Sequence, residues 1–341
     1  MKMEKILNYI NGELIAPVSE KYLNNESPTN GKVYSLVPDS DSDDVKLAVR
    51  AAKKAFPLWS GLSKQERYEH LMRLSLEIKN SFEELVAAES QDNGKPEWLA
   101  RLVDIPRASS NIEFFATASL HFSSEAHEMD GQALNYTLRK PVGVVGCISP
   151  WNLPIYLLTW KIAPALAAGN TVIAKPSEVT PMTAYLLSKI CQKIKFPKGV
   201  LNIVHGLGEK VGDAIVRHPE TPIISFTGGT ITGAKIAELA APMFKKLSLE
   251  LGGKNPNIVF ADANFDLALE MAVKASFSNQ GQICLCSSRL LIEKSMYDQF
   301  KIDFIEKVKN LRIGDPNNFD TEYGAISSLE HFILIIGFKS E

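Results

Sequence analysis

From about residue 142 the hydrophobic positions alternate between short apolar runs and longer amphipathic stretches. VGVVGCIS, NTVIAKPS, GVLNIVHG, PIISFTG and KKLSLEL read as strands. PIYLLTWKIAPALAAG, PMTAYLLSKICQKI, EKVGDAIVRH and ITGAKIAELAAP, which lie between them, read as helices. Repeated strand–helix–strand units of this length predict the α/β class: an open parallel Rossmann-like sheet with helices on both faces, its ligands at the carboxyl ends of the strands. A second block begins near residue 252, with NPNIVF and SRLLIEK as strands and FDLALEMAVKASFSNQ and SMYDQFKIDFIEKVKN as helices. The pattern therefore divides the chain into a domain at 1–251 and a second α/β domain at 252–341. The first 130 residues read as helical after a short strand region around ILNYINGELI. In DSDDVKLAVRAAKKAF, residues Val45, Ala48, Val49, Ala52 and Phe56 share one helical face, and SKQE (63–66) and SFEE (81–84) are capping-box patterns.

Composition narrows the function classes without selecting one. The 341 residues are 45% hydrophobic and 22% charged with a formal net charge of −2, which gives no reason to expect nucleic acid or an anionic membrane as partner. The longest uncharged run, 141–160, is broken by Pro141, Pro150, Pro154 and Asn152, so it reads as strand, loop and helix start rather than a membrane span. The opening MKMEKILNYINGE lacks an uninterrupted apolar core, so no signal peptide is expected and a cytoplasmic location is the default. Four cysteines (147, 191, 284, 286) are sparse enough to be reduced thiols, and six scattered histidines predict no metal site.

The candidate chemistry sits at strand ends. Glycines follow two consecutive strands, in GLGEKVG (Gly206, Gly208, Gly212) and FTGGTITG (Gly228, Gly229, Gly233), where a backbone can approach a pyrophosphate at a helix N terminus. KPSE (175–178) ends a third strand, and Lys175 and Glu178 can both hydrogen-bond ribose hydroxyls; a solvated surface turn explains the same residues. In LELGGK, Glu250 ends a strand as a candidate base whose pKa an apolar surround would raise, or as half of an ordinary ion pair. Asn152 in SPWNLP stands where a strand becomes a helix, as an oxyanion donor or as a helix cap. Cys284 in NQGQICLC is a candidate nucleophile if a base or a positive helix end favours its thiolate. Together these parts make one machine: thiohemiacetal formation, hydride transfer to nicotinamide, and thioester hydrolysis.

SPWNLP, KPSE, FTGGTITG, LELGGK and NQGQIC, in that order and at these spacings, resemble the aldehyde dehydrogenase superfamily. The resemblance runs from near the N terminus to about residue 327, beyond which SSLEHFILIIGFKSE loses the pattern. It implies NAD as cofactor, Cys284 as nucleophile, Glu250 as base for deacylation, and Asn152 with the Cys284 backbone N–H as oxyanion donors. It also implies that Ser149, Pro150, Trp151, Lys175, Ser177, Glu178, Gly208, Phe226, Gly228, Gly229 and Leu251 hold the cofactor, with Lys161 and Lys254 in support. Glu178 favours NAD over NADP, because a carboxylate repels a 2′-phosphate. Many relatives carry Ser where Gly229 stands, which removes a hydroxyl contact and leaves the backbone N–H.

Within the superfamily, PWNLPIYLLTWKIAPALAAGN, KKLSLELGGKNPNIVF and NQGQICLC look most like the branch acting on 2-aminomuconic and 2-hydroxymuconic semialdehydes. Such substrates carry a carboxylate, and Arg107, read as ending an apolar helical stretch, is a candidate to receive it. Relatives are longer than this chain, so the resemblance implies truncation or a shifted frame, with the second half of the catalytic domain missing. Full-length relatives are homo-oligomeric, and residues 123–141 are a candidate oligomerisation strand segment. Three other readings stay open here: an inactive nucleotide-binding fragment, a dehydrogenase for another aldehyde such as betaine aldehyde, and a CoA-dependent acyltransferase.

Overall fold

The computed structural model describes residues 3–337. Its centre is a seven-stranded sheet built from β1 (Asn8–Ile10), β2 (Glu13–Ile15), β3 (Val144–Ile148), β4 (Thr171–Lys175), β5 (Leu201–Ile203), β6 (Ile223–Gly228) and β7 (Lys246–Leu251). The spatial order is β7-β6-β3-β4-β5-β1-β2, with β3 to β7 mutually parallel and β1 and β2 joined antiparallel at one edge. Successive chain segments run outward from β3 in both directions. The order therefore reverses at β3, and a crevice must open at the carboxyl ends of β3, β4 and β6.

Strand side chains alternate between two packed layers. Val145, Cys147, Val172, Ala174, Leu201 and Ile203 face one layer, which contains α2 (Lys64–Asn80), α4 (Ile105–Leu120), α5 (Pro154–Ala167) and α6 (Met182–Lys193); α3 (Phe82–Asn93) joins that layer. Val144, Ile148, Ile173, Val204, Ile224 and Phe226 face the other, which contains α1 (Ser42–Gly61) and α7 (Thr230–Ala240). Burial on both faces explains why these strands read as unbroken apolar runs. On α1, Val45, Ala48, Val49 and Ala52 are buried as expected, with Ala55 and Trp59 continuing the stripe and Phe56 only half-buried.

Two local expectations are corrected. The first 130 residues hold more strand than the pattern predicts: Tyr22–Glu26 pairs antiparallel with Val33–Pro38, which pairs in parallel with Glu4–Lys5. The cue was faint because these strands are short and polar. Ser63 and Glu66 form the expected reciprocal capping box on α2, but Ser81 makes no side-chain cap bond. Ser81 ends α2 and begins α3 at φ −95°, ψ 20°, and its N–H is given back to the Glu77 and Lys79 carbonyls, so its hydroxyl is not set for the next helix. Residues 123–141 contain the antiparallel hairpin Ala126–Met129/Ala133–Tyr136, exposed along its whole length.

Beyond β7 a smaller unit follows. β8 (Pro256–Val259) and β9 (Arg289–Ile292) pair in parallel, and α8 (Phe265–Phe277) and α9 (Tyr297–Lys309) close a separate core around Val259, Leu269, Ala272 and Phe300. The expected strands and helices of the second block are all present. The last described element is α10 (Leu329–Gly337); the rest of the SSLEHFILIIGFKSE stretch, residues 338–341, lies outside the described residues.

One buried group ties stability to pH. Burial pushes the His205 imidazole down to about 3, the nearby Lys175 ammonium acting in the same direction. The unfolded chain takes up this proton near pH 6.5 and the folded chain refuses it, so the contribution is complete above that pH and is lost as pH falls toward 3. Neither ring nitrogen has a hydrogen-bond partner, so leucine removes only the titration. His205→Leu is expected to reduce the loss of unfolding free energy between about pH 6.5 and pH 4.5 by roughly 2–3 kcal/mol, as read from denaturant melts across that range.

Candidate active site

The crevice required by the strand order is present, with a volume of about 470 Å³. Ser149, Pro150 and Trp151 line it from the end of β3, Lys175, Ser177 and Glu178 from the end of β4, and Phe226, Gly228 and Gly229 from the end of β6. Gly208 lines it from the loop after β5. Thus ten of the eleven residues expected around the cofactor share one cleft. Leu251 does not: it packs against α7, where a Cβ built on Gly233 would lie 2.5 Å from Leu251 Cδ2. Glu209, Asp213, Thr232 and Lys235 also line the cleft and were missed, because single polar residues on helix turns carry no pattern in the sequence.

The cleft's chemistry suits a dinucleotide. A Cβ built on Gly208 or Gly229 would meet nothing within 4 Å, so the backbone stands open to a ligand at both turns. Gly229 caps the N terminus of the eleven-residue α7, where free N–H groups and the helix dipole favour a pyrophosphate. Lys175 Nζ lies 2.8 Å from Glu178 Oε2, with the lysine buried and the glutamate half-buried, so these are partners rather than solvated charges. Burial alone raises the Glu178 carboxyl, but the Lys175 ammonium and the N–H groups of Glu178 and Gly208 more than offset it and hold it below the usual range. An ionised carboxylate therefore stands at the end of β4.

The cysteine loop meets this cleft through Asn152. Asn152 Nδ2 donates to the Gln282 carbonyl at 2.7 Å, and Asn279 Nδ2 donates back to the Asn152 carbonyl at 3.0 Å. Between α8 and Cys284 three successive residues, Asn279, Gln280 and Gly281, have φ of 52°, 59° and 76°. Two of them are not glycine, and such strained backbone persists only where its surroundings hold it. Gln280 Nε2 donates to Ala325 O at 2.8 Å, and the Ser327 N–H donates to Gln282 Oε1 at 3.1 Å. The loop presents Cys284 to solvent and leaves Cys286 half-buried, its thiol directed at Ser278 O, 3.7 Å away. Cys284 lies beyond the C-terminal end of α8, so its own element supplies no positive helix end.

Glu250 reaches the same region by a different route. The Gly252–Gly253 turn after β7 brings Asn255 Nδ2 to 2.5 Å from the Cys284 carbonyl, and a Cβ on Gly253 would lie 3.8 Å from that oxygen. The apolar surround expected for Glu250 is not there: its side chain is exposed, because β7 is the edge strand of the sheet. Glu250 acts on Lys161 of α5, whose Nζ donates to Ser225 Oγ at 3.2 Å. Burial lowers the Lys161 ammonium, while the Cys147 thiol and the Glu250 carboxylate pull it back. Lys254 contributes its backbone carbonyl, which accepts from Arg289 Nε at 3.1 Å.

Arg107 is placed differently from its sequence reading. It lies in the first turn of α4 and so begins that helix rather than ending one, with a π-helical turn at Ala100–Asp104 joining α4 to the short helix at Glu97–Leu99. Its guanidinium lies exposed over the rings of Tyr156 (5.1 Å) and Trp160 (5.8 Å) on α5. Tyr156 lies in the first turn of α5, four residues after Asn152.

A doubly wound sheet with a dinucleotide-sized cleft and a thiol loop tied to its switch point is the arrangement of a nucleotide-dependent enzyme of the α/β class. Residues 15–338 match the model of the aldehyde dehydrogenase family, and the chain belongs to that family. The match passes residue 327 by eleven residues, so the family pattern continues further than the sequence reading placed it. The chain is 50% identical over 339 residues to the 2-aminomuconic semialdehyde dehydrogenase of Danio rerio, covering 99% of this chain and 69% of the relative. It is 51% identical over 325 residues to the Homo sapiens enzyme of that name, covering 95% and 66%. Among solved structures, PnpE from Pseudomonas sp. WBC-3 in complex with nicotinamide adenine dinucleotide superposes with a TM-score of 0.95 at 39% identity, over 99% of this chain and 69% of that one. The chain thus spans about two thirds of the length of these relatives.

The four thiols are expected to differ in reactivity. Cys147 and Cys191 are buried, and burial pushes both up to about 12; Cys286 is raised by its half-burial. Iodoacetamide at pH 7.5 is expected to label Cys284 first, Cys286 at least tenfold more slowly, and Cys147 and Cys191 only after unfolding, as read by peptide mass spectrometry.

Proposed function

We propose that this chain carries out NAD-dependent oxidation of a muconic-type semialdehyde to its carboxylic acid through Cys284. The observation that carries it is the paired hydrogen bonding of Asn152 with the cysteine loop, which joins a thiol to an amide donor at the mouth of a dinucleotide cleft. The Cys284 thiolate adds to the aldehyde carbon and forms a thiohemiacetal. Asn152 Nδ2 has two N–H groups; one is held by Gln282, and the other donates to the developing oxyanion with the Cys284 backbone N–H. NAD, when bound, supplies the hydride acceptor. Loss of hydride from the former aldehyde carbon leaves a thioester on Cys284. Glu250 takes a proton from water as the water attacks, and release of the acid restores the thiolate.

The cofactor residues are those lining the cleft. Lys175 and Glu178 take the adenosine ribose, and the ionised Glu178 repels a 2′-phosphate. Residues 1–251 serve as the NAD-binding domain and 252–341 as part of the catalytic domain; the exposed 126–136 hairpin is the surface offered to another copy. Four free cysteines support a reducing, cytoplasmic setting.

The substrate class rests on Arg107 and on the relatives' names. An anionic arm passing Tyr156 and Trp160 meets the guanidinium, whereas a cationic aldehyde such as betaine aldehyde is repelled by it. A second reading, NAD binding without turnover, is favoured by the exposure of Glu250. NADH absorbance with 2-hydroxymuconic semialdehyde separates the two. Turnover is expected, with Glu250→Gln giving about one NADH per chain and a trapped thioester visible by intact mass. Arg107→Gln is expected to raise KM about tenfold and to leave NAD affinity unchanged. NAD binding with no NADH formed contradicts the enzyme.

A further inference from the structure

Under the Asn152 turn lies a cluster of buried charges that the chemistry above does not use. The stretch ESQDNGKP (89–96) ends α3, and Gly94, at φ 81°, returns its N–H to Ser90 O. That left-handed turn sends Lys95 back under the sheet-to-helix loop at residues 149–154. The Lys95 side chain is fully buried: Nζ lies 3.0 Å from Asp104 Oδ2, 3.8 Å from Glu89 Oε1 and 3.3 Å from the Asn152 carbonyl oxygen. Both carboxylates are equally buried. Asp104 is the last residue of the π-helical turn, a distortion that occurs often at functional sites.

Three buried ionisable groups are a poor way to gain stability, since hydrocarbon side chains of similar volume fill such a space at least as well. What Lys95 provides that hydrocarbon does not is a directed N–H. The Asn152 carbonyl accepts from Lys95, from Asn93 Nδ2 at 3.3 Å and from Asn279 Nδ2 at 3.0 Å, so three donors from two distant parts of the chain fix one peptide plane. Burial raises both the Glu89 and the Asp104 carboxyls, and the Lys95 ammonium between them pulls both back.

We infer that Lys95, anchored by Glu89 and Asp104, is a positioning residue for the reaction, holding the Asn152 backbone so that the free N–H of its side-chain amide stays directed at the aldehyde oxygen on Cys284. The inference deepens the proposed function and rests on Asn152 being the oxyanion donor. Lys95 touches neither substrate nor cofactor; it acts through the residue that does.

The test is acylation of Cys284 by p-nitrophenyl acetate, which needs the thiol and the oxyanion donor but neither NAD nor hydride transfer. Lys95→Met alone leaves Asp104 buried without its partner, so the informative variants are Lys95→Met/Asp104→Asn/Glu89→Gln and Lys95→Gln/Asp104→Asn/Glu89→Gln, the second retaining an N–H on a shorter arm. Both are expected to bind NAD within twofold of the native chain and to react with iodoacetamide at Cys284 at the native rate. Their acylation rate is expected to fall at least tenfold with KM for the ester nearly unchanged, and adding Asn152→Ala is expected to cost little more. Native acylation in both variants, or a loss that multiplies in full with that of Asn152→Ala, overturns the inference and leaves the proposed function standing. Native acylation by Asn152→Ala alone, or no nitrophenol release by the native chain, overturns the proposed function and the inference with it.

Discussion

The site depends on one exchange of hydrogen bonds, from Asn152 Nδ2 to the Gln282 carbonyl and from Asn279 Nδ2 to the Asn152 carbonyl. Asn152 belongs to the turn after β3, and Asn279 and Gln282 to the loop that carries Cys284, so residues about 130 apart in sequence are fixed face to face. The three left-handed residues at 279–281 are costly backbone, tolerated because side chains on both flanks hold them. Asn93 extends the same network: it donates to the Trp151 carbonyl and to Ser327 Oγ, and Ser327 donates in turn to Gln282. The Cys284 loop is therefore an extension of the sheet's own framework.

The sheet sets the geometry of everything else. Because the strand order reverses at β3, the turns after β3, β4 and β6 converge on one crevice, and the Asn152 turn forms one wall of it. Asn152 thus stands between two neighbours, the dinucleotide cleft on its N-terminal side through Ser149–Trp151 and the thiol loop through Gln282. A residue in that position can relay a disturbance in either half to the other.

The parallel half of the fold was legible because strands buried on both faces give continuous apolar runs, and the cleft residues were legible because they sit where those runs stop. The 22–38 strands were not, since short edge strands with polar faces resemble loop. Glu250 was legible as a strand-end carboxylate, but its exposure was not, because sequence does not show that β7 lies at a sheet edge. Arg107 was recognised as a charge near an apolar face, while the π-helical turn before α4 leaves no periodic signal. The most consequential omission is DNGK: an Asn–Gly step closing a helix marks a turn, but nothing in the pattern reveals that the following lysine turns inward. Its one cue is a lysine set between the acidic residues Asp92 and Glu97.

The central claim, that the Asn152 turn and the Cys284 loop are one interlocked unit, is tested most directly by a double-mutant cycle on Asn152→Ala and Asn279→Ala, read as unfolding free energy and as amide exchange across 279–286. A coupling of about 1 kcal/mol or more, with exchange in the loop accelerated by Asn152→Ala alone, is the predicted result. Additivity within about 0.5 kcal/mol, with loop protection unchanged by Asn152→Ala, would contradict it.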